Sequence, residues 1–173
     1  RGANLDDISV ETFNSGVVFQ EGFELSESSF SSGSKMLGVS PDDPNVLYVL
    51  EESSSTFGAF YKSTDSGDSF IKLDHADKNY FGYATDADDD RGQAPRDMDV
   101  AVNPNDADEV HIAGILTWRS IDGGSNFSIT SQWVPGNAAG LNIGYCHADV
   151  DILEFVGTNL YAGTDGGIFI AEN

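Results

Sequence analysis

Ser63-Thr64-Asp65-Ser66-Gly67-Asp68-Ser69-Phe70 and Ser120-Ile121-Asp122-Gly123-Gly124-Ser125-Asn126-Phe127 share the spacing Ser-x-Asp-x-Gly-x-x-Phe. A weaker third copy is Thr164-Asp165-Gly166-Gly167. Repetition on this scale means small similar units, none of which can hide its apolar face alone. Each residue type suits a closed turn. Asp65 and Asp122 can accept hydrogen bonds from the backbone N–H groups that follow them. Gly67 and Gly124 allow a positive φ, and Gly167 stands at the matching place of the third copy. Ser63 and Ser120 add a local hydrogen bond, and Phe70 and Phe127 bury a ring beneath the turn. These aspartates therefore read as structural.

Working outward, similar segments flank each copy. Met36 to Ser40, a turn at Pro41 to Asn45, and Val46 to Leu50 read as strand, turn, strand. Met98 to Val102, Asn103 to Asp108, and Glu109 to Ala113 repeat that order, and Asp151 to Phe155, Val156 to Asn159, and Leu160 to Gly163 repeat it again. Ala59 to Lys62 and Leu116 to Arg119 lead into the Asp turns, and Phe70 to Leu73 and Phe127 to Thr130 follow them. The grammar is a four-stranded antiparallel sheet, repeated. Asp65 and Asp122 lie 57 residues apart, and Asp122 and Asp165 lie 43 apart, a spacing that suits β-propeller blades.

The fold class expected is therefore all-β, with about three four-stranded blades that form part of a larger ring. Residues 1–34 read as the end of a preceding blade and a loop. Residues 35–73 and 98–132 each read as a blade, 74–97 as an acidic insertion, and 133–173 as an insertion plus a further blade. No helix is expected. Three blades cannot close a ring, so the remaining blades of the same propeller are the expected partner. Arg1-Gly2-Ala3 is no translation start, and the chain reads as processed or cut from something longer.

Composition narrows the function classes. The 173 residues carry 29 acidic and 8 basic side chains, a formal net charge of −21. Such a surface repels nucleic acid and anionic membranes. No apolar run reaches membrane-spanning length. The single cysteine, Cys146, excludes an intrachain disulfide.

The Asp motif resembles the Asp-box, or bacterial neuraminidase repeat, of sialidase, family 74 xyloglucanase and sortilin-type propellers. The first copy matches fully, the second has Asn126 where Ser or Thr is usual, and the third is degenerate. A broader likeness to propellers of secreted Bacteroidetes proteins runs through Gly82-Tyr83, Gly92-Gln93, Asp97 to Pro104, Ile112 to Gly124, His147 to Asp151 and Leu160 to Gly167. The resemblance implies an extracellular or cell-surface location and places the Asp turns on the blade periphery, away from any active centre.

Three candidate sites remain. Asp86, Asp88 and Asp90 alternate in the insertion, a pattern that suits Ca²⁺ but has Arg91 at the sixth place and lacks the later Glu of an EF-hand. His147, Asp149 and Asp151 alternate on an expected strand and would share one face, as a metal site or as acid and base. The alternative there is a histidine held between blades, with Asp149 or Asp151 pinning a loop. Tyr80, Phe81, Tyr83, Trp118, Trp133 and Tyr145 lie in or beside insertions, where rings can stack on sugars or anchor peptides. Trp133, Tyr145 and Tyr83 are the binding candidates, and Trp118 reads as core. His75 and His111 read as isolated. Arg1, Arg91, Arg96 and Arg119 form no recognisable sialidase triad, and no motif selects a glycosidase carboxylate pair. The reading is a noncatalytic module for binding a glycan or protein ligand, with part of a secreted glycoside hydrolase as the alternative.

Overall fold

The structure is a computed structural model that describes residues 33–172. Of the blade end and loop expected at residues 1–34, residues 1–32 lie outside the described residues.

Three antiparallel sheets follow one another along the chain. The first has four strands in sequential order: β1 (Lys35–Val39), β2 (Leu47–Ser53), β3 (Thr56–Ser63) and β4 (Ile71–Lys72). The second repeats that order with β5 (Asp99–Val102), β6 (Val110–Ala113), β7 (Thr117–Ser120) and β8 (Ser128–Ile129). A short parallel pair joins β9 (Ser131–Gln132) to β10 (Gly144–Tyr145) across α1 (Pro135–Leu141). The third sheet has three strands: β11 (Val150–Val156), β12 (Asn159–Thr164) and β13 (Gly167–Ala171).

The short helix corrects the expectation of none. Pro135 at its start suits a first turn, where a missing N–H costs nothing. Asn142 ends it in the left-handed region at φ 56° and bonds back to Ala138 and Ala139.

Register fixes two ends in each sheet. In the second, Val102 pairs with Val110 and Val110 with Ser120, so β5 leaves where the Ser120 turn begins. Asp99 pairs with Ala113 at the opposite end, where β5 enters. The third sheet has the same sense, with Val150 paired to Thr164 and Thr164 to Gly167 at its entry end.

The first strands of the three sheets are neighbours, with β5 between β1 and β11. Gly38 of β1 marks the closest approach, since a Cβ there would sit 3.0 Å from Val102 and 3.1 Å from Val100. Period-two alternation sends Tyr48, Leu50 and Phe60 toward the second sheet, where they meet Val100, Val102, Val110 and Ile112 in one core. A smaller core of Ala101, Ala113, Cys146, Val150, Leu153, Leu160 and Ala162 joins the second and third sheets. Burial pushes the Cys146 thiol up to about 11 and leaves it protonated.

The acidic insertion folds as part of the first core. Tyr80 and Phe81 are 5% and 0% exposed, which removes them from the surface aromatics. Asn79 organises the segment. Its Oδ1 accepts from the Phe57 N–H at 3.0 Å, and its Nδ2 donates to the Asp89 and Arg91 carbonyls at 3.1 and 2.7 Å. Gly114 leaves room for Phe81, whose Cα would lie 2.7 Å from an added Cβ. Trp118 is core, and its indole N–H donates to the Tyr80 carbonyl at 2.8 Å. His75 is not isolated: it meets the Tyr80 hydroxyl at 3.1 Å and the Gly124 carbonyl at 2.8 Å. Nor is His111, whose Nε2 lies 2.9 Å from Glu109.

Candidate functional site

The exit ends hold the two Ser-x-Asp turns, and their hydrogen bonds match one for one. Ser63 Oγ donates to Asp65 at 2.7 Å and accepts from the Gly67 N–H at 2.9 Å; Ser120 does the same to Asp122 and Gly124 at the same distances. Asp65 accepts from the Ser69 N–H and hydroxyl, and Asp122 from the Asn126 N–H and side-chain amide. Asn126 thus supplies the same two donors as Ser69. Gly67 and Gly124 have φ of +93° and +83°. The hydrogen bonds from Ser69 and Ser63 hold the Asp65 carboxyl down to about 2. Phe127 packs on Phe60 with ring centroids 5.3 Å apart. Phe70 lies half-buried beside Gly67.

The third copy occupies a different place. Asp165-Gly166 is the two-residue loop between β12 and β13, at the entry end, with Thr164 paired to Gly167. The difference is one of strand position: the other turns join the third and fourth strands of a sheet, and this one joins the second and third.

At the entry end several charged side chains gather. Arg96 Nη2 donates to Asp165 at 2.7 Å, and its Nε lies 3.9 Å from Asp97 and 4.0 Å from Asp151. Gln93 donates its side-chain amide to Asp149 at 2.9 Å. The Asp97 side chain has no exposure, and neither oxygen has a hydrogen-bond partner. Burial first, then the charge of Asp149, raises its carboxyl to about 6, although Arg96 pulls the other way. Asp151 and Asp165 are 44% and 43% exposed, so the cluster is open to solvent on one side. Beneath it, Asp99 pins the second sheet to the third by accepting the Leu153 N–H at 2.6 Å.

His147, Asp149 and Asp151 do not share one strand face as expected. Asp149 has φ +63°, and the register shifts between Val150 and Ile152, so the alternation breaks where β11 begins. His147 packs against Gly166, where an added Cβ would collide with its ring. Asp149 and Asp151 still reach the mouth, through Gln93 and Arg96.

Asp86, Asp88 and Asp90 are exposed, and no group of three His, Cys, Asp or Glu side chains suited to a metal occurs among the described residues. Asp89 orders that loop instead, by accepting the Tyr83 and Ala84 N–H groups at 2.7 and 2.9 Å. The Tyr83 ring is covered by Arg91 at 4.9 Å. Trp133 and Tyr145 are 42% and 45% exposed, the first between β9 and α1 and the second on β10.

Asp97, Arg96 and Gln93 are the mouth residues that site reasoning on the sequence passed over. A signal exists: Asp97-Met98-Asp99-Val100 and Asp149-Val150-Asp151-Ile152 repeat Asp-x-Asp-apolar at the entry to β5 and β11.

No protein-family model matches the sequence, and no curated protein does. Solved structures do. The GH74 enzyme of Niastella koreensis superposes with a TM-score of 0.51 and 19% identity, over 80% of this chain and 21% of that one. The GH74 xyloglucanase of Xanthomonas campestris superposes with a TM-score of 0.50 and 21% identity, over 80% of this chain and 22% of that one. The chain thus spans about a fifth of the length of these structures. No helix among the described residues is long and apolar enough to cross a membrane. At this identity the likeness bears on fold alone, and with the sequential antiparallel sheets it makes the chain a run of β-propeller blades.

Proposed function

We propose that the chain supplies blades of a larger, extracellular Asp-box β-propeller, and that the acidic mouth at its entry end binds a glycan without cleaving it. The observation that carries the reading is the convergence of Asp97, Asp151 and Asp165 around Arg96 from three separate segments, with Asp149 held at the same mouth by Gln93. A sugar hydroxyl both donates and accepts a hydrogen bond. Carboxylates beside a guanidinium offer both partners at adjacent positions. The third sheet also supports further blades, since Ile152, Val156, Ile168 and Ile170 are each at least half exposed on it.

A second reading, partial glycoside hydrolase, is favoured by Asp97 alone. Glycoside hydrolysis uses one carboxyl that keeps its proton and another that has lost it. A buried carboxyl raised to about 6 beside partly exposed aspartates meets that requirement.

Calorimetric titration of the protein with neutral β-glucan and xyloglucan oligosaccharides separates these readings. Glycan binding predicts saturable heat that Asp149→Asn and Asp165→Asn each weaken at least tenfold, with no new reducing ends. New reducing ends abolished by Asp97→Asn would establish hydrolysis. No heat at millimolar sugar would remove both.

A further inference from the structure

The mouth at the entry end holds more acceptors than donors. Arg96 Nη2 donates to Asp165 at 2.7 Å, and the Gln93 amide donates to Asp149 at 2.9 Å. Both donors thus point at carboxylates of the protein itself. Asp151 lies 4.0 Å from the Arg96 Nε, beyond hydrogen-bond reach, and is 44% exposed. Asp97 lies 3.9 Å from the same nitrogen, and neither of its oxygens has a hydrogen-bond partner. One guanidinium therefore stands against four carboxylates. Other cations among the described residues are engaged elsewhere: Lys35 with Glu51, Lys62 with Asp108 and Arg119 with Glu109.

Asp97 senses the field that results. Its side chain is wholly buried, with its Oδ1 toward the Arg96 guanidinium. Burial raises its carboxyl first, and Asp149, Asp151 and Asp165 raise it further against Arg96. The local potential is thus negative in spite of the guanidinium, and any positive charge brought to the mouth gains from it. A sugar hydroxyl gains only a neutral hydrogen bond. An ammonium offers three donors and no acceptor, and its bonds to carboxylates are charge-assisted, about twice as strong as neutral ones. A calcium ion needs several oxygens around one point, and no group of three carboxylates suited to that occurs among the described residues. An ammonium needs no such convergence, because its three donors diverge toward separate acceptors.

We infer that the mouth selects glycans that carry a protonated amine, of the β-linked glucosamine type, over neutral glycans of the same backbone, with Asp149 and Asp151 as the residues that set the preference. The ammonium sits between these two carboxylates, whose free lone pairs face solvent, while Asp165 stays with Arg96. The inference deepens the glycan reading and rests on it.

The test is calorimetric titration of the intact chain at pH 5.5 with three trisaccharides that share a β-1,4 backbone and differ at one carbon of each ring. Chitosan trisaccharide carries an ammonium there, chitin trisaccharide an acetamide and cellotriose a hydroxyl. Binding of the chitosan trisaccharide is expected to be at least tenfold tighter than that of either neutral sugar. Asp151→Asn is expected to cut this ratio at least threefold. Asp149→Asn is a second variant with the same expectation, and asparagine accepts the φ of +63° found there. Asp86→Asn combined with Asp88→Asn removes two exposed carboxylates of the insertion and is expected to leave the ratio unchanged. Equal affinity for the three sugars overturns the inference and leaves the glycan reading standing. A ratio that survives both mouth variants, or that falls as far in the insertion variant, also overturns it, because the net charge of the whole chain then attracts the amine. No heat with any of the three sugars removes the glycan reading itself.

Discussion

Asp65 and Asp97 have the same side chain and opposite fates, and each represents one end of the molecule. At the exit end, Asp65 and Asp122 are surrounded by donors from their own turns, and those hydrogen bonds lower both carboxyls. At the entry end, Asp97 is buried without a donor among other carboxylates, and its proton affinity rises. The first arrangement contributes stability and needs nothing from outside. The second leaves a buried carboxyl without a hydrogen-bond donor, at a cost that grows once it ionises.

The strongest way to break this comparison is Gly124→Ala. A Cβ at φ +83° would be strained and would drive into the Phe60 ring. Loss of about 3 kcal/mol or more is expected in thermal or denaturant unfolding. Ser120→Ala tests the exit end more gently. It leaves the buried Gly124 N–H without its acceptor, and a loss of about 2 kcal/mol is expected by the same measurement.

Asp97→Asn probes the entry end and has the opposite sign. A carboxyl raised in the folded state favours folding only while protonated. Its penalty is absent below about pH 4, grows as pH rises toward 6, and is complete above that. The amide variant is therefore expected to unfold about 1–2 kcal/mol later than the parent at pH 8 and to lose that advantage at pH 4. Equal stability of the two proteins across this range would show that Asp97 is not strained. The smallest effect is expected from Asp108→Ala, which cuts the exposed Lys62 pair at 2.8 Å and changes stability by less than about 1 kcal/mol. Asp165, also paired at 2.7 Å and 43% exposed, sharpens the contrast, because its replacement should register in glycan titration.

Much of the fold was legible because its determinants are local. The Ser-x-Asp-x-Gly-x-x-Phe turns, the Pro- and Asn-rich connections and the short apolar runs each act within a few residues, so strand order for the first two sheets follows directly. The insertion was less legible. It reads as an acidic insertion beside the blades, yet Asn79 and Asp89 satisfy the backbone and let Tyr80 and Phe81 enter the core. The short helix escaped notice because seven residues rich in Gly and Ala carry no amphipathic period.

The chain alone thus determined its repeating unit, its turn aspartates and its strongly negative charge, since hydrogen bonding within a turn and net charge do not depend on which sheets meet. Tertiary structure decided which carboxylates converge. Asp151 and Asp165 lie far along the chain from Arg96 and Asp97, and only the packing of β5 beside β11 brings them together. It also decided that Asp165 belongs to this mouth and not to an exit-end turn, because the end of a sheet on which a loop emerges is set by strand pairing, and pairing is not written in the loop itself.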